Sequence, residues 1–143
     1  MFPTDFSALS RDALPYAVSM ARDFGAKLLL VHVEEPIPLL GPTEATYAFI
    51  EPDHAALRKQ LADFPIGDTS VACERHLLLG GAADMIVGFA AAEQADLIVM
   101  ATHGRSGLSH LLMGSVAEAV VRRAHCPVLT LKSAAMAHSP AAD

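Results

Sequence analysis

Hydrophobic residues fall into four short runs along the chain, and between them apolar positions recur every three or four residues. The runs are Lys27–Val33, Ser70–Leu78, Asp96–Ala101 and Pro127–Leu131. The first and third runs are apolar at consecutive positions, which is typical of a parallel strand covered by helices on both faces. The second run carries charges on both faces, which indicates an exposed edge strand. The pattern therefore predicts four strands.

The intervening segments have the spacing of amphipathic helices. They are predicted at Leu9–Phe24, from Pro52 to Phe64, at Met85–Ala90 and from Gly114 to Arg123. Pro15 lies inside the first of these, and a helix capped at Ser10 would place the proline in its second turn, where the ring clashes. We therefore expect a bent or tight first turn rather than a break in this helix.

The alternation of helices and strands predicts right-handed crossovers and a parallel sheet. A further short strand must precede the first helix and end at Thr4 or Asp5. Three prolines and a glycine make residues 34–47 a predicted loop. The segment 133–143 is rich in Ala and Ser and has no packing pattern. We therefore expect a single domain over residues 1–132 and a loose C-terminal tail.

Composition narrows the class of protein. The chain has 143 residues, 52% of them hydrophobic, which is enough for one domain with a real core. A net charge of −6 argues against a nucleic-acid or membrane-surface partner but is compatible with a small phosphate ligand held by backbone amides. Cys73 and Cys126 fit neither a disulfide framework nor a metal site. With no secretory signal and no membrane-length apolar run, we expect a soluble cytoplasmic protein.

The candidate site lies where the predicted strands end, because ligands of open parallel sheets bind beyond the carboxyl ends of the strands. Pro3–Asp5, Val33 and Met100–Gly107 fall there, and the last segment runs on to Gly114–Ser115 at a predicted helix start. Its glycines allow the chain to turn with the amides inward, which indicates a nest for a di- or triphosphate. The alternative is that these glycines only form a tight connection.

Five short motifs resemble the universal stress protein family. They are Pro3–Ser7, Leu30–Val33, Ala101–Gly104, Gly114–Glu118 and His125–Leu129, in the family's order and spacing between Phe2 and Lys132. The resemblance implies a three-layer α/β fold with about four helices and a five-stranded parallel sheet of order 3-2-1-4-5, as a homodimer. Family members have several apolar residues before the first motif, whereas this chain has only Met1 and Phe2. Either its true start lies upstream, or its first strand is very short.

Some members of the family bind ATP through a signature of Gly, two residues, Gly, nine residues, Gly, and Ser or Thr. The matching positions here are Ala101, Gly104, Gly114 and Ser115, so alanine replaces the first glycine and removes a close approach to a ligand. The resemblance implies further ligand contacts at Pro3, Thr4, Asp5, the backbone of Val33, Met100, His103, and the amides of Val116 and Ala117. With Arg105 and Gly107, these residues form the predicted ATP site, and Mg²⁺ would be held mainly by the phosphates.

Several of these residues have a simpler interpretation beside the functional one. Asp5 contacts the nucleotide or caps the first helix near Ser7. Ser115 contacts phosphate, and it also begins Ser115–Glu118, which has the sequence of a capping box. Arg105 neutralises a terminal phosphate or is a solvated loop charge. His103 stabilises charge or orients the loop. His32 is interpreted as a core histidine with its hydrogen bonds satisfied.

Three functions remain open at this point. The first is a regulatory protein that binds ATP through the segment Ala101–Ser115. The second is a nucleotide-independent interaction module, dimeric through strand Val128–Leu131, whose edge would pair with its copy. The third is a slow phosphohydrolase that depends on His103. Because no nucleophile–base pair and no histidine metal spacing occur in the sequence, we expect no dedicated enzyme and no metal site.

Overall fold

The computed structural model describes residues 1–40, 47–50, 53–102 and 113–132, with backbone alone at 37–40 and 47–50. The predicted tail 133–143 therefore lies outside the described residues. The elements in chain order are β1 (Phe2–Pro3), α1 (Ala8–Asp23), β2 (Leu28–Glu34), β3 (Ile37–Leu40), β4 (Tyr47–Ile50), α2 (His54–Ala62), β5 (Cys73–Leu79), α3 (Ala82–Ala92), β6 (Ile98–Ala101), α4 (Ser115–Arg123) and β7 (Val128–Leu131).

The strands in the described part of the chain form three sheets. β1, β2 and β5 make a parallel sheet with β2 in the centre, and β6 and β7 make a second parallel pair. The two parallel sheets meet at Met1, whose carbonyl accepts from Val99 N at 2.9 Å and whose amino group donates to Leu97 O at 2.7 Å. β3 and β4 form a separate antiparallel hairpin.

The predicted α/β fold with parallel strands is confirmed, and the described residues form the four predicted helices. The single sheet of order 3-2-1-4-5 is not confirmed, because the predicted strands three, two and one are β5, β2 and β1 in one sheet, whereas four and five are β6 and β7 in another. The physical reason lies in β1. It has two residues and ends at Pro3, which has no N–H to donate, so among the described residues of this N-terminal segment only Met1 bonds to β6.

The prediction that residues 34–47 form a loop is wrong, because β3 and the first residue of β4 fall inside them. Pro38 pairs with Phe49 in the hairpin instead of ending a strand. In a two-stranded sheet both strands are edges, and an edge strand tolerates proline because one side of its backbone is unpaired. Prolines alone therefore do not predict a loop in this segment.

Two element boundaries also differ from the sequence pattern. α1 begins three residues earlier than a cap at Ser10 would give, since the side chain of Ser7 caps it by accepting from Ser10 N at 3.2 Å. Pro15 consequently lies well inside α1, which continues to Asp23. β5 begins at Cys73 rather than at Ser70, because the Ser70 N–H donates to Asp68 Oδ1 at 2.9 Å in a local turn.

The hydrophobic core has one half on each face of the parallel strands. Leu28 and Leu30 of β2 pack with α1 and α2, whereas Leu29 and Val31 pack with α3 and α4. All four are buried, so the prediction of a strand covered on both faces is confirmed for β2. This arrangement brings the carboxyl ends of β1, β2 and β6 to one edge of the molecule. No helix in the described ranges is both long and apolar enough to cross a membrane.

Candidate functional site

A cleft of about 430 Å³ opens at the carboxyl ends of the parallel strands. Its walls come from the ends of β1, β2 and β6 and from the starts of α1, α3 and α4. The residues that line it are Pro3, Thr4, Asp5, Ser10, His32, Val33, Glu34, Glu35, Ala82, Ile86, Met100, Ala101, Thr102, Gly114, Ser115, Val116 and Ala117. A parallel sheet produces such a crevice because its strands all end at the same edge.

Most of the residues predicted from the sequence lie in this cleft. The described ones are Pro3, Thr4, Asp5, Val33, Met100, Ala101, Gly114, Ser115, Val116 and Ala117, and all of them line the wall. The remaining four, His103, Gly104, Arg105 and Gly107, lie outside the described residues. The structure thus gathers segments that are far apart in sequence, while the ligand remains a prediction.

The turn after β1 is held in shape by its own side chains. Thr4 Oγ1 accepts from Phe6 N at 3.0 Å and lies 2.6 Å from Ser10 Oγ. Asp5 Oδ1 accepts from Ser7 N at 3.0 Å, so Asp5 fixes the turn before α1, and Ser7 is the cap. Phe6 has a φ of 63°, a left-handed conformation that costs a phenylalanine about 1–3 kcal/mol. Backbone strain that neighbouring bonds maintain is characteristic of functional sites.

His32 connects the ends of β1 and β2 beneath the cleft. It is 3% exposed, and its Nδ1 lies 2.7 Å from the carbonyl oxygen of Thr4. Because a carbonyl only accepts, Nδ1 carries a hydrogen and donates it. The ring also packs on Phe6 at 4.3 Å between centroids, and Nε2 lies 3.4 Å from Glu34 Oε2. His32 is buried, as predicted for a core histidine. Its hydrogen bonds are not all satisfied, however, because Nε2 has no hydrogen-bond partner among the described residues.

The start of α4 forms the opposite wall. Gly114 is the N-cap and donates its N–H to Thr102 O at 2.8 Å, and no side chain caps the helix. Ser115 is the first residue of the helix, so the predicted capping box is wrong. The N–H groups in the first turn of a helix have no intrahelical partner. This end of α4 therefore presents donors and a partial positive charge to the cleft, which suits an anion.

The start of α3 already has an acidic partner. Glu35 Oε1 accepts from Ala82 N at 2.7 Å, while the N-cap of α3, Gly81, provides no side chain. Glu34 and Asp5 also line the cleft, and neither lysine nor arginine does so among the described residues. The side-chain charge of this described wall is therefore negative.

Ala101, which replaces the signature glycine, lies at the carboxyl end of β6 and lines the cleft. Among the described residues other than glycine, only Phe6 and Gln94 have a positive φ. The backbone at Ala101 therefore does not require glycine, and the effect of the replacement is confined to the added methyl group.

Sequence reasoning missed several lining residues. They are Ser10, His32, Glu34, Glu35, Ala82, Ile86 and Thr102. The rule that ligands bind beyond the carboxyl ends of parallel strands could have identified the two glutamates, because they directly follow Val33 at the end of β2. The others come from helix faces or from a buried strand position, where the sequence pattern indicates core packing.

Comparison with known proteins agrees with this architecture. The model of the universal stress protein family matches residues 1–132. Universal stress protein MJ0531 of Methanocaldococcus jannaschii is 38% identical over 140 residues, which is 92% of this chain and 80% of that protein. A universal stress protein of Thermus aquaticus is 37% identical over 133 residues, 90% of this chain and 93% of that protein.

Solved structures resemble the chain over nearly the same range. A universal stress protein in complex with cAMP has a TM-score of 0.68 and 25% identity, covering 92% of this chain and 94% of that one. A universal stress protein from Archaeoglobus fulgidus in complex with dAMP has a TM-score of 0.62 and 25% identity, covering 90% and 93%. From the family match, the curated relatives and the shared fold, we conclude that this chain belongs to the universal stress protein family.

Proposed function

We propose that the chain is a regulatory protein that binds an adenine nucleotide, ATP, in the cleft at the carboxyl ends of β1, β2 and β6. The observation that carries the proposal is the start of α4, where no side chain caps the helix and Ser115, Val116 and Ala117 line the cleft. Solved relatives described as complexes with cAMP and dAMP support an adenine nucleotide as the ligand class.

The cleft has two chemically different ends. The amides at the start of α4 would take the phosphates, together with the segment from Ala101 to Ser115. Asp5 and the backbone of Val33 would hold the adenosine on the opposite wall. Mg²⁺ would be ligated mainly by phosphate oxygens, since it keeps most of its other ligands as water. We further propose that the two parallel sheets form one continuous sheet with the strand order 3-2-1-4-5, which corresponds to β5, β2, β1, β6 and β7. The hydrogen bonds of Met1 between the two sheets support this order.

A thermal-shift titration with ATP and MgCl₂ tests the proposal. Ligand at about 100 times Kd adds about 2.7 kcal/mol, which raises Tm of a domain of this size by roughly 5–10 °C. The informative variant is Ser115→Asp, because Ser115 is exposed at the start of α4. Its carboxylate favours the helix terminus by about 0.3–1 kcal/mol but repels phosphate. The unliganded variant should therefore be as stable as the wild type or more so, and should respond less to ATP.

The matched control is Ala55→Asp, which adds the same charge to an exposed position in the first turn of α2. No residue of α2 lines the cleft, so this variant should keep the full response to ATP. If millimolar ATP with MgCl₂ does not raise Tm of the wild type, the proposed function is wrong. An ATP response of Ser115→Asp equal to that of the wild type would contradict phosphate binding at α4.

Homodimerisation through β7 belongs to the same proposal. Among the described strands β7 pairs only with β6, and its four residues are only partly buried. Pairing with a second copy would cover this edge. Light scattering after size exclusion should give twice the chain mass of 15.1 kDa, whereas the mass of one chain would contradict a dimer.

We propose binding without dedicated catalysis, in the cytoplasm, with slow incidental ATP turnover as the upper limit. A phosphohydrolase would need a specific catalytic group, and His103, the candidate, lies outside the described residues. Multiple-turnover phosphate release that His103→Ala abolishes would overturn this part of the proposal. Absent or slow release that the substitution leaves unchanged would support it.

A further inference from the structure

We propose that the Glu35 carboxylate tunes the nucleotide selectivity of the cleft by weakening the binding of ATP more than the binding of AMP. The inference rests on the proposed function, because it concerns selectivity at the same site. It comes from the position of the Glu35 carboxylate and from the charges around it.

Glu35 lies where the cleft continues into a second space. A groove of about 260 Å³ lies between the starts of α3 and α4, and Glu35, Ala82, Ser115 and Val116 line both spaces. A phosphate chain that extends past the start of α4 therefore enters space bordered by Glu35.

The carboxylate is held in this position. Glu35 Oε1 accepts from Ala82 N at 2.7 Å, at a helix start whose N-cap, Gly81, has no side chain to do so. This hydrogen bond holds the side chain beside the start of α3, where the helix terminus carries a partial positive charge. The exposed Glu35 carboxylate is therefore positioned by a hydrogen bond to the backbone of α3.

Among the described lining residues, no cationic side chain forms an ion pair with Glu35. Arg123, which lines the groove, forms an ion pair with Asp84 at 2.6 Å. The other charged side chains of the described cleft wall are the carboxylates of Asp5 and Glu34. Each added phosphate group increases the negative charge near Glu35, so the repulsion grows from AMP to ATP.

The test is Glu35→Gln, in which the amide oxygen still accepts from Ala82 N while the negative charge is removed. Glu93→Gln is the control, because Glu93 is an exposed residue at the other end of α3. Affinities for ATP and for AMP are measured by isothermal titration with EDTA present, so that no divalent cation masks the phosphates. We expect Glu35→Gln to tighten ATP binding by about 3- to 10-fold more than AMP binding. Glu93→Gln should leave the ratio of the two affinities unchanged.

Salt separates this electrostatic effect from a change of shape. The gain in ATP affinity should shrink from 0.1 M to 1 M NaCl, because the screening length falls from about 10 Å to about 3 Å. If the variant alters ATP and AMP affinity by equal factors, or alters neither, Glu35 has no such role and the proposed function is unaffected. If the wild type binds neither nucleotide, the proposed function and the role of Glu35 are both wrong.

Discussion

His32 provides the sharpest test of how the cleft wall is built. In His32→Ala the buried Thr4 carbonyl loses its 2.7 Å hydrogen bond, and Phe6 loses a ring packed at 4.3 Å. An unsatisfied buried acceptor costs about 1–3 kcal/mol, and the lost ring pair adds about 0.5–1.5 kcal/mol. We therefore expect the free energy of unfolding to fall by about 2–4 kcal/mol, a large share of a typical domain stability of about 5–15 kcal/mol.

Two further variants separate the hydrogen bond from the packing. Asparagine places an N–H group near the position of Nδ1, whereas glutamine places its amide near Nε2. His32→Asn should therefore recover more of the lost stability than His32→Gln, because it can still donate to Thr4 O. Urea denaturation followed by circular dichroism gives the free energies.

The same series should change ATP binding, since the Thr4 turn forms part of the cleft wall. We expect His32→Ala to weaken ATP binding and His32→Asn to retain more of it than His32→Gln. A stability loss below about 0.5 kcal/mol in His32→Ala would refute the hydrogen-bond argument. Equal stability of the Asn and Gln variants would refute the assignment of Nδ1 as the donor to Thr4.

Three smaller predictions test single residues. Ala101→Gly should lower the free energy of unfolding in urea by about 0.5–1 kcal/mol and tighten ATP binding in calorimetry, and weaker binding would contradict an obstructing methyl group. Hydrogen bonds from Ser70 lower the pKa of Asp68 below its ordinary value of 3.8, so the stability they add is full above that pH and is lost as the pH falls through the folded value. The stability gap between wild type and Asp68→Asn should therefore close in acid, and a gap that persists there would contradict this. Burial raises the pKa of the Cys73 thiol, so iodoacetamide at pH 8 should alkylate it more slowly than free cysteine by mass spectrometry, and an equal rate would contradict this.

The fold was predictable wherever one physical requirement dominated a segment. The consecutive apolar residues of Leu28–Val31 have to be buried on both sides, and the structure buries them between two pairs of helices. The start of α4 at Gly114–Ser115 was found for a similar local reason, since glycine precedes an amphipathic run. In such segments sequence and packing indicate the same element.

Predictions failed where two local interactions compete or where the partner is distant. Ser115 has the sequence of a capping box, yet Gly114 takes the cap position and binds Thr102 O through its backbone. The sequence around Pro38 predicts a loop, because its pairing with Phe49 depends on a second segment that local patterns do not reveal. The single sheet is not confirmed, because the pairing of β1 depends on how many N–H groups two residues can supply.

The same distinction holds in the cleft. The predicted strand ends identified Thr4, Asp5 and Val33 as site residues, because ligands bind beyond the carboxyl ends of parallel strands and those ends follow from the chain order alone. The link from His32 to Thr4 and the bond from Glu35 to Ala82 join residues 28 and 47 positions apart. No local pattern encodes such pairs, so the charge and rigidity of the wall became visible only in the folded chain.

A titration of the ¹⁵N-labelled protein with ATP, followed by amide chemical shifts, tests the nucleotide site most directly. Binding to the start of α4 and to the opposite wall predicts the largest changes at Ser115, Val116, Ala117 and Val33. The amides of α2, which does not line the cleft, should stay in place. Unchanged spectra at millimolar ATP, or changes concentrated on α2, would contradict a nucleotide site in this cleft.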